Sequence, residues 1–139
     1  VVVGVGDPGF HATPYFWLAP PFHNWPTGHG TRWLTNGARA HHWQYCWFRP
    51  DLTAGTYEVS LPEETPFDAV GTFRREGPAR FQADIHHADG DDRVWIEPLK
   101  SRLIGAFRFD EGTDGYVRLT ARRSTCQIIV DAVRFRRVE

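Results

Sequence analysis

Residues 125–135, Thr-Cys-Gln-Ile-Ile-Val-Asp-Ala-Val-Arg-Phe, form the longest β-rich run of the chain and decide its fold class. Ile128, Ile129, Val130, Val133 and Phe135 are β-branched or aromatic, the types that suit a pleated surface. Apolar side chains fall on both parities: Ile128, Val130 and Ala132 on one, Ile129, Val133 and Phe135 on the other. That pattern predicts a strand covered on both faces, deep inside a sheet. One charge, Asp131, interrupts it. A carboxylate in such a place needs donors or a cation, because burying it unpaired is costly. It can cap a turn or pair with an arginine; the sharper alternative is a calcium ion shared with Asp7. Arg134, Arg136 and Arg137 then mark the edge of the buried zone.

Working back towards the N-terminus, the same period-2 signal recurs. Residues 116–121 alternate Tyr116, Arg118 and Thr120 against Val117, Leu119 and Ala121. Residues 103–109 form another run, and 93–97 a return strand. Residues 79–86 put Phe81, Ala83 and Ile85 inward against Arg80, Gln82 and Asp84. Asp89-Gly90 is a hairpin signal. A further strand is expected over 69–74. Residues 55–61 alternate Tyr57, Val59 and Leu61 with Thr56, Glu58 and Ser60, and 40–48 is a strand carrying three aromatic residues on one parity. From 10 to 37, prolines and glycines forbid a helix or a central strand. That stretch reads as a long loop holding Trp17, Trp25 and Trp33, and residues 1–5 as a first strand. Eight or nine short strands with turn signals about every ten residues predict an all-β fold: a two-layer antiparallel β-sandwich, jelly-roll-like, with a long aromatic-rich N-terminal loop region.

A chain of 139 residues is long enough for a single core, and 1–139 is expected to be one domain. The formal net charge is −1, so nothing in the balance asks for nucleic acid or an anionic membrane. No apolar run reaches the roughly 20 residues that span a bilayer. No signal peptide is visible, and the absence of Met is expected of a mature or excised product. Cys46 and Cys126 are 80 residues apart in strand-like runs. A disulfide between them would stabilise by roughly 4 kcal/mol in the chain-entropy model; the alternative is two buried thiols.

The second half resembles the golvesin or xanthan-lyase C-terminal-type β-sandwich domain. The residues that carry the likeness are Ala54-Gly55-Thr56-Tyr57-Glu58-Val59, Ile85-His86-His87-Ala88-Asp89-Gly90, Gly105-Ala106-Phe107-Arg108-Phe109, Gly112-Thr113-Asp114-Gly115-Tyr116-Val117 and Val130-Asp131-Ala132-Val133-Arg134-Phe135. They come in the family's order over roughly residues 50–136. Asp7-Pro8-Gly9-Phe10 resembles its opening motif. Two departures are visible: residues 97–102 lack the family's Gly-Gly-x-Trp, and 15–47 is richer in Trp and His. The resemblance implies a carbohydrate-binding-like accessory module of extracellular bacterial enzymes, without a catalytic residue of its own.

The chemistry-bearing residues agree with that expectation. Adjacent strand residues point to opposite faces, so neither His41-His42 nor His86-His87 can chelate one ion from one side. Asp89, Asp91, Asp92, Asp110, Glu111 and Asp114 cluster in two turns, where acids are usually solvated or structural. Paired carboxylates would serve a small glycan-active hydrolase or lyase, a third-ranked alternative. The aromatic stripe Trp43, Tyr45 and Trp47 is the strongest functional signal, with Trp17, Trp25 and Trp33 behind it. Trp and Tyr rings stack on the C–H faces of sugars. If the stripe faces out, Cys46 faces in; the reverse makes it core. The expected partner is a polysaccharide. The rival use of the same aromatics is assembly with a parent enzyme domain or with identical subunits.

Overall fold

The computed structural model describes residues 1–13, 17–18, 34–35, 45–63, 65, 79–120, 123–125 and 129–139. Every regular element among them is a strand. In chain order these are β1 (Val2–Gly4), β2 (Phe10–Ala12), β3 (Trp17–Leu18), β4 (Leu34–Thr35), β5 (Tyr45–Phe48) and β6 (Gly55–Ser60). They continue as β7 (Phe81–His87), β8 (Gly90–Ile96), β9 (Leu103–Phe109), β10 (Tyr116–Thr120), β11 (Ile129–Val130) and β12 (Ala132–Arg137).

Two antiparallel sheets pack face to face as a β-sandwich. One is ordered β1-β12-β6-β9, the other β2-β5-β10-β7-β8, and a short third sheet joins β11-β4-β3. The first and last strands are neighbours: the Val1 ammonium donates to the Phe135 carbonyl, and the Phe135 amide donates back to the Val1 carbonyl. Alternation explains the core. Tyr57 and Val59 from β6, Phe109 from β9, and Val133 and Phe135 from β12 point inward. They meet Cys46 and Phe48 from β5, Phe81, Ala83 and Ile85 from β7, and Val117 and Leu119 from β10. Phe109 holds Phe135 and Tyr57 edge-on, with ring centroids 5.8 and 6.0 Å away. Each fully buried side chain of this size contributes about 1.5–3 kcal/mol by leaving water.

The run 125–135 departs from expectation. It is not one strand. Ile129–Val130 pairs with β4 in the small sheet, and Ala132–Arg137 lies between β1 and β6 in the four-stranded sheet. The chain changes sheets at Asp131. Within β12 both parities are buried at the start, Ala132 at 2% and Val133 at 0% exposure. Asp131 is 3% exposed; its Oδ2 accepts from the Thr65 hydroxyl at 2.8 Å, and its carbonyl accepts the Val5 amide.

Three other expectations shift. Phe10–Ala12 is a strand after all, at the sheet edge, where only one side needs donors. β3 and β4 likewise occupy part of the expected loop. The hairpin at Asp89-Gly90 is tighter than predicted, since His87 pairs directly with Gly90, whose φ of +125° favours glycine. The strand expected over 69–74 lies outside the described residues.

Candidate functional site

The outer face of the five-stranded sheet carries the candidate site. β5 sets its polarity: Cys46 and Phe48 are fully buried, so Tyr45 and Trp47 turn outward and are partly exposed. Register then lines up one residue from each strand across the whole sheet. His11 of β2 is opposite Trp47 of β5, Trp47 opposite Arg118 of β10, Arg118 opposite Asp84 of β7, and Asp84 opposite Arg93 of β8. A parallel row runs from Tyr116 through His86 to Asp91.

The contacts follow the rows. The His11 ring is 5.4 Å from Trp47, and Tyr45 is 5.7 Å from it. The Arg118 guanidinium lies 4.6 Å over the Tyr45 ring and 6.0 Å from Trp47. Arg118 therefore covers part of Tyr45, and the aromatic surface is a ring-and-guanidinium platform rather than three bare rings. Asp84 fixes that guanidinium: Arg118 Nη2 and Nε donate to Asp84 Oδ2 at 2.6 and 3.1 Å. Arg93 Nε donates to the other oxygen at 2.6 Å. Burial alone would raise the Asp84 carboxyl, but the hydrogen bonds from Arg93 and Arg118 outweigh it and hold it below its ordinary value. The same bond and charge raise Arg93 further.

Beside this pair, His86 stacks on Tyr116 at 5.2 Å, and its Nδ1 is 2.6 Å from Asp91 Oδ1. The Arg49 guanidinium lies 4.7 Å over Tyr116. A groove of about 380 Å³ opens here, lined by Asp84, Asp91, Asp92, Arg93, Tyr116 and Arg118. The arrangement offers apolar ring faces flanked by fixed donors and acceptors, the combination that orients a small polar ligand.

Tyr45 and Trp47 thus share one face, as the parity argument allowed. Trp43, Trp25 and Trp33 lie outside the described residues. The backbone of Trp17 is in β3, paired with Thr35. His41 and His42 also lie outside. His86 and His87 do point to opposite faces: His87 sits against Phe107 and is 2.7 Å from Asp92. Of the turn acids, Asp89 takes Arg108 at 2.7 Å and Asp110 takes it at 3.7 Å. Asp7 accepts the Gly4 amide at 2.7 Å and closes a turn. Among the described residues no group of three or more His, Cys, Asp or Glu could hold a metal ion. Cys46 is a free thiol in this structure, so the expected bond to Cys126 is not found; Cys126 itself lies outside the described residues. Burial pushes the Cys46 thiol well up. Asp84, Arg93, Arg118, Tyr116 and His11 were not singled out from the sequence; Asp84, Tyr116 and Arg118 carried only strand parity, Arg93 opened an expected return strand, and His11 fell in the expected loop.

No family model and no curated protein matches the chain. Among solved structures, a xanthan lyase from Paenibacillus contains the same fold. That likeness has a TM-score of 0.76 at 17% identity and covers 100% of this chain. The chain spans 13% of the length of that enzyme. No helix of the described residues is long and apolar enough to cross a membrane.

Proposed function

We propose that this chain is a non-catalytic module that binds polysaccharide on the outer face of its five-stranded sheet. The observation that carries the reading is the row His11–Trp47–Arg118–Asp84–Arg93, with Tyr45 beside it. Recurrence of the fold within a xanthan lyase chain, as a small fraction of it, supports an accessory role in an extracellular polysaccharide-active enzyme. The golvesin-type resemblance points the same way. Ring stacking is worth about 1 kcal/mol per pair beyond area burial, so such a site binds weakly alone. Tethering to a catalytic domain raises the effective concentration and makes weak binding sufficient.

Native electrophoresis in gels cast with xylan, mannan, β-glucan, xanthan or pectate tests this. At least one polysaccharide retards the protein, and Trp47→Ala removes the retardation while the melting temperature stays nearly unchanged. The reading fails if none retards it, or if Trp47→Ala binds as before.

A second reading, docking on a parent domain or an identical subunit, has its own support. Trp95 and Leu103 are exposed and share a groove of about 430 Å³, with Leu99 exposed nearby. Light scattering showing a stable dimer, lost on Leu103→Glu, would favour it.

A further inference from the structure

We infer that the groove beside Tyr116 takes an uncharged, hydroxyl-rich sugar and rejects a uronate-bearing one. This rests on the polysaccharide reading and adds the ligand's charge class to it. Recognition of an anionic sugar needs a cation in the wall that is not already satisfied. The two guanidiniums lining the groove, Arg93 and Arg118, both converge on Asp84. The lining as a whole holds three carboxylates, Asp84, Asp91 and Asp92, against these two guanidiniums, so an incoming carboxylate meets a wall of net negative charge. It would meet Asp91 in particular, whose side chain is 73% exposed against 27% for Arg118. Like charges brought together across a binding surface suppress the wrong partner. Asp92 lines the groove too, though strand alternation aims its side chain at His87 on the other face. Arg49, another described cation near by, sits over the Tyr116 ring and is not among the described residues of the groove wall.

The same wall suits a neutral sugar. Asp91 is an exposed side-chain acceptor whose Oδ1 lies 2.6 Å from His86 Nδ1. Carboxylate oxygens take sugar hydroxyls in short, charge-assisted bonds of about 2.5–2.7 Å. Arg118 and Arg93, locked on Asp84, keep further N–H groups in a fixed plane, since a guanidinium has five donors. Tyr116, stacked on His86, supplies a ring at the groove's edge.

The experiment uses the intact protein at low and high salt, in gels of neutral mannan, xylan and β-glucan and of uronate-bearing pectate, alginate and xanthan. A neutral polymer gives the strongest retardation, and 0.5 M NaCl leaves it nearly unchanged because no charge pairing is involved (screening length about 4–5 Å there). Asp91→Lys places a cation in the wall without touching the Asp84 cluster. It strengthens pectate binding about tenfold at low salt, and salt abolishes the gain. A uronate polymer bound by the wild type as tightly as the best neutral one overturns the inference and leaves the polysaccharide reading standing. So does an Asp91→Lys variant that stays folded and treats pectate as the wild type does. If no polymer binds, the polysaccharide reading itself fails and the inference falls with it.

Discussion

Replacing Asp84 by Ala tests whether the charged row is structural or incidental. The carboxylate is only 14% exposed and accepts Arg93 Nε at 2.6 Å and Arg118 Nη2 at 2.6 Å. Removing it leaves two guanidiniums, on the strands either side of β7, with no charge between them. Exposed ion pairs are worth about 0.2–1 kcal/mol each, and hydrogen bonds to charged groups about 1.5–3. Arg93 is half exposed and rehydrates easily, so the lower range applies to it and the upper only in part to Arg118. The expected cost is about 1–2.5 kcal/mol near neutral pH. Urea unfolding followed by tryptophan fluorescence measures it. The cost must also depend on pH in one direction. The arginines hold the folded Asp84 below its ordinary value, so on acidification the unfolded chain takes up the proton first. Asp84's contribution is complete above the ordinary carboxylate range, about pH 4, and is lost as pH falls through the lower folded value. The difference between wild type and Asp84→Ala is therefore flat from about pH 8 to 5 and shrinks below about pH 4. A cost under about 0.5 kcal/mol at neutral pH, or one that does not shrink in acid, refutes the reasoning.

Two further outcomes concern Cys46 and the acids Asp131 and Asp7. Cys46 is fully buried with its thiol pushed up, so iodoacetamide leaves it unmodified in the folded protein and alkylates it after unfolding; ready alkylation of the native chain would show the β5 assignment to be inverted, and non-reducing mass spectrometry checks the bond to Cys126. If a calcium ion is held by Asp131 and Asp7, EDTA lowers the melting temperature and added calcium restores it; an unchanged melting curve leaves Asp131 with Thr65 and Asp7 with the Gly4 amide as their structural roles.

Strand faces were legible wherever one face alone is buried. β6 alternates cleanly, and in β7 Phe81, Ala83 and Ile85 are fully buried as the period requires, although Gln82, expected outward, is buried too. The run through Asp131 was not legible in the same way. Apolar residues on both parities describe a strand covered on both sides equally well as two strands that change sheets at a polar corner. Only partners distant in sequence, Leu34–Thr35 for one half and Val2–Gly4 for the other, decide between them. β2 was obscured for a different reason. Three residues amid prolines carry too short a pattern, and an edge strand needs only one set of ladder bonds.

The site divides along the same line. Parity left two orientations of the stripe open, and the burial of Cys46 and Phe48 decides between them, turning Tyr45 and Trp47 outward. The row that gives the platform its charge did not follow, because it joins residues 11, 47, 84, 93 and 118 through four registers. A slip of one residue in any of them would send that strand's side chains to the other face. One local clue was present. β10 is the middle strand of its sheet, and Arg118 sits at the middle of β10 on the outward parity. A cation held there is flanked by strands on both sides and is partly shielded from water, so it is tolerated when a neighbour supplies a carboxylate. Asp84, Asp89, Asp91 and Asp92 are the acids of the adjoining hairpin, and of these Asp84 is the one directly opposite Arg118. The pairing of Arg118 with Asp84 is thus the least costly way to keep a cation in the centre of that face. Asp84 answers Arg118 only in part, because Arg93 draws on the same carboxylate from the other side.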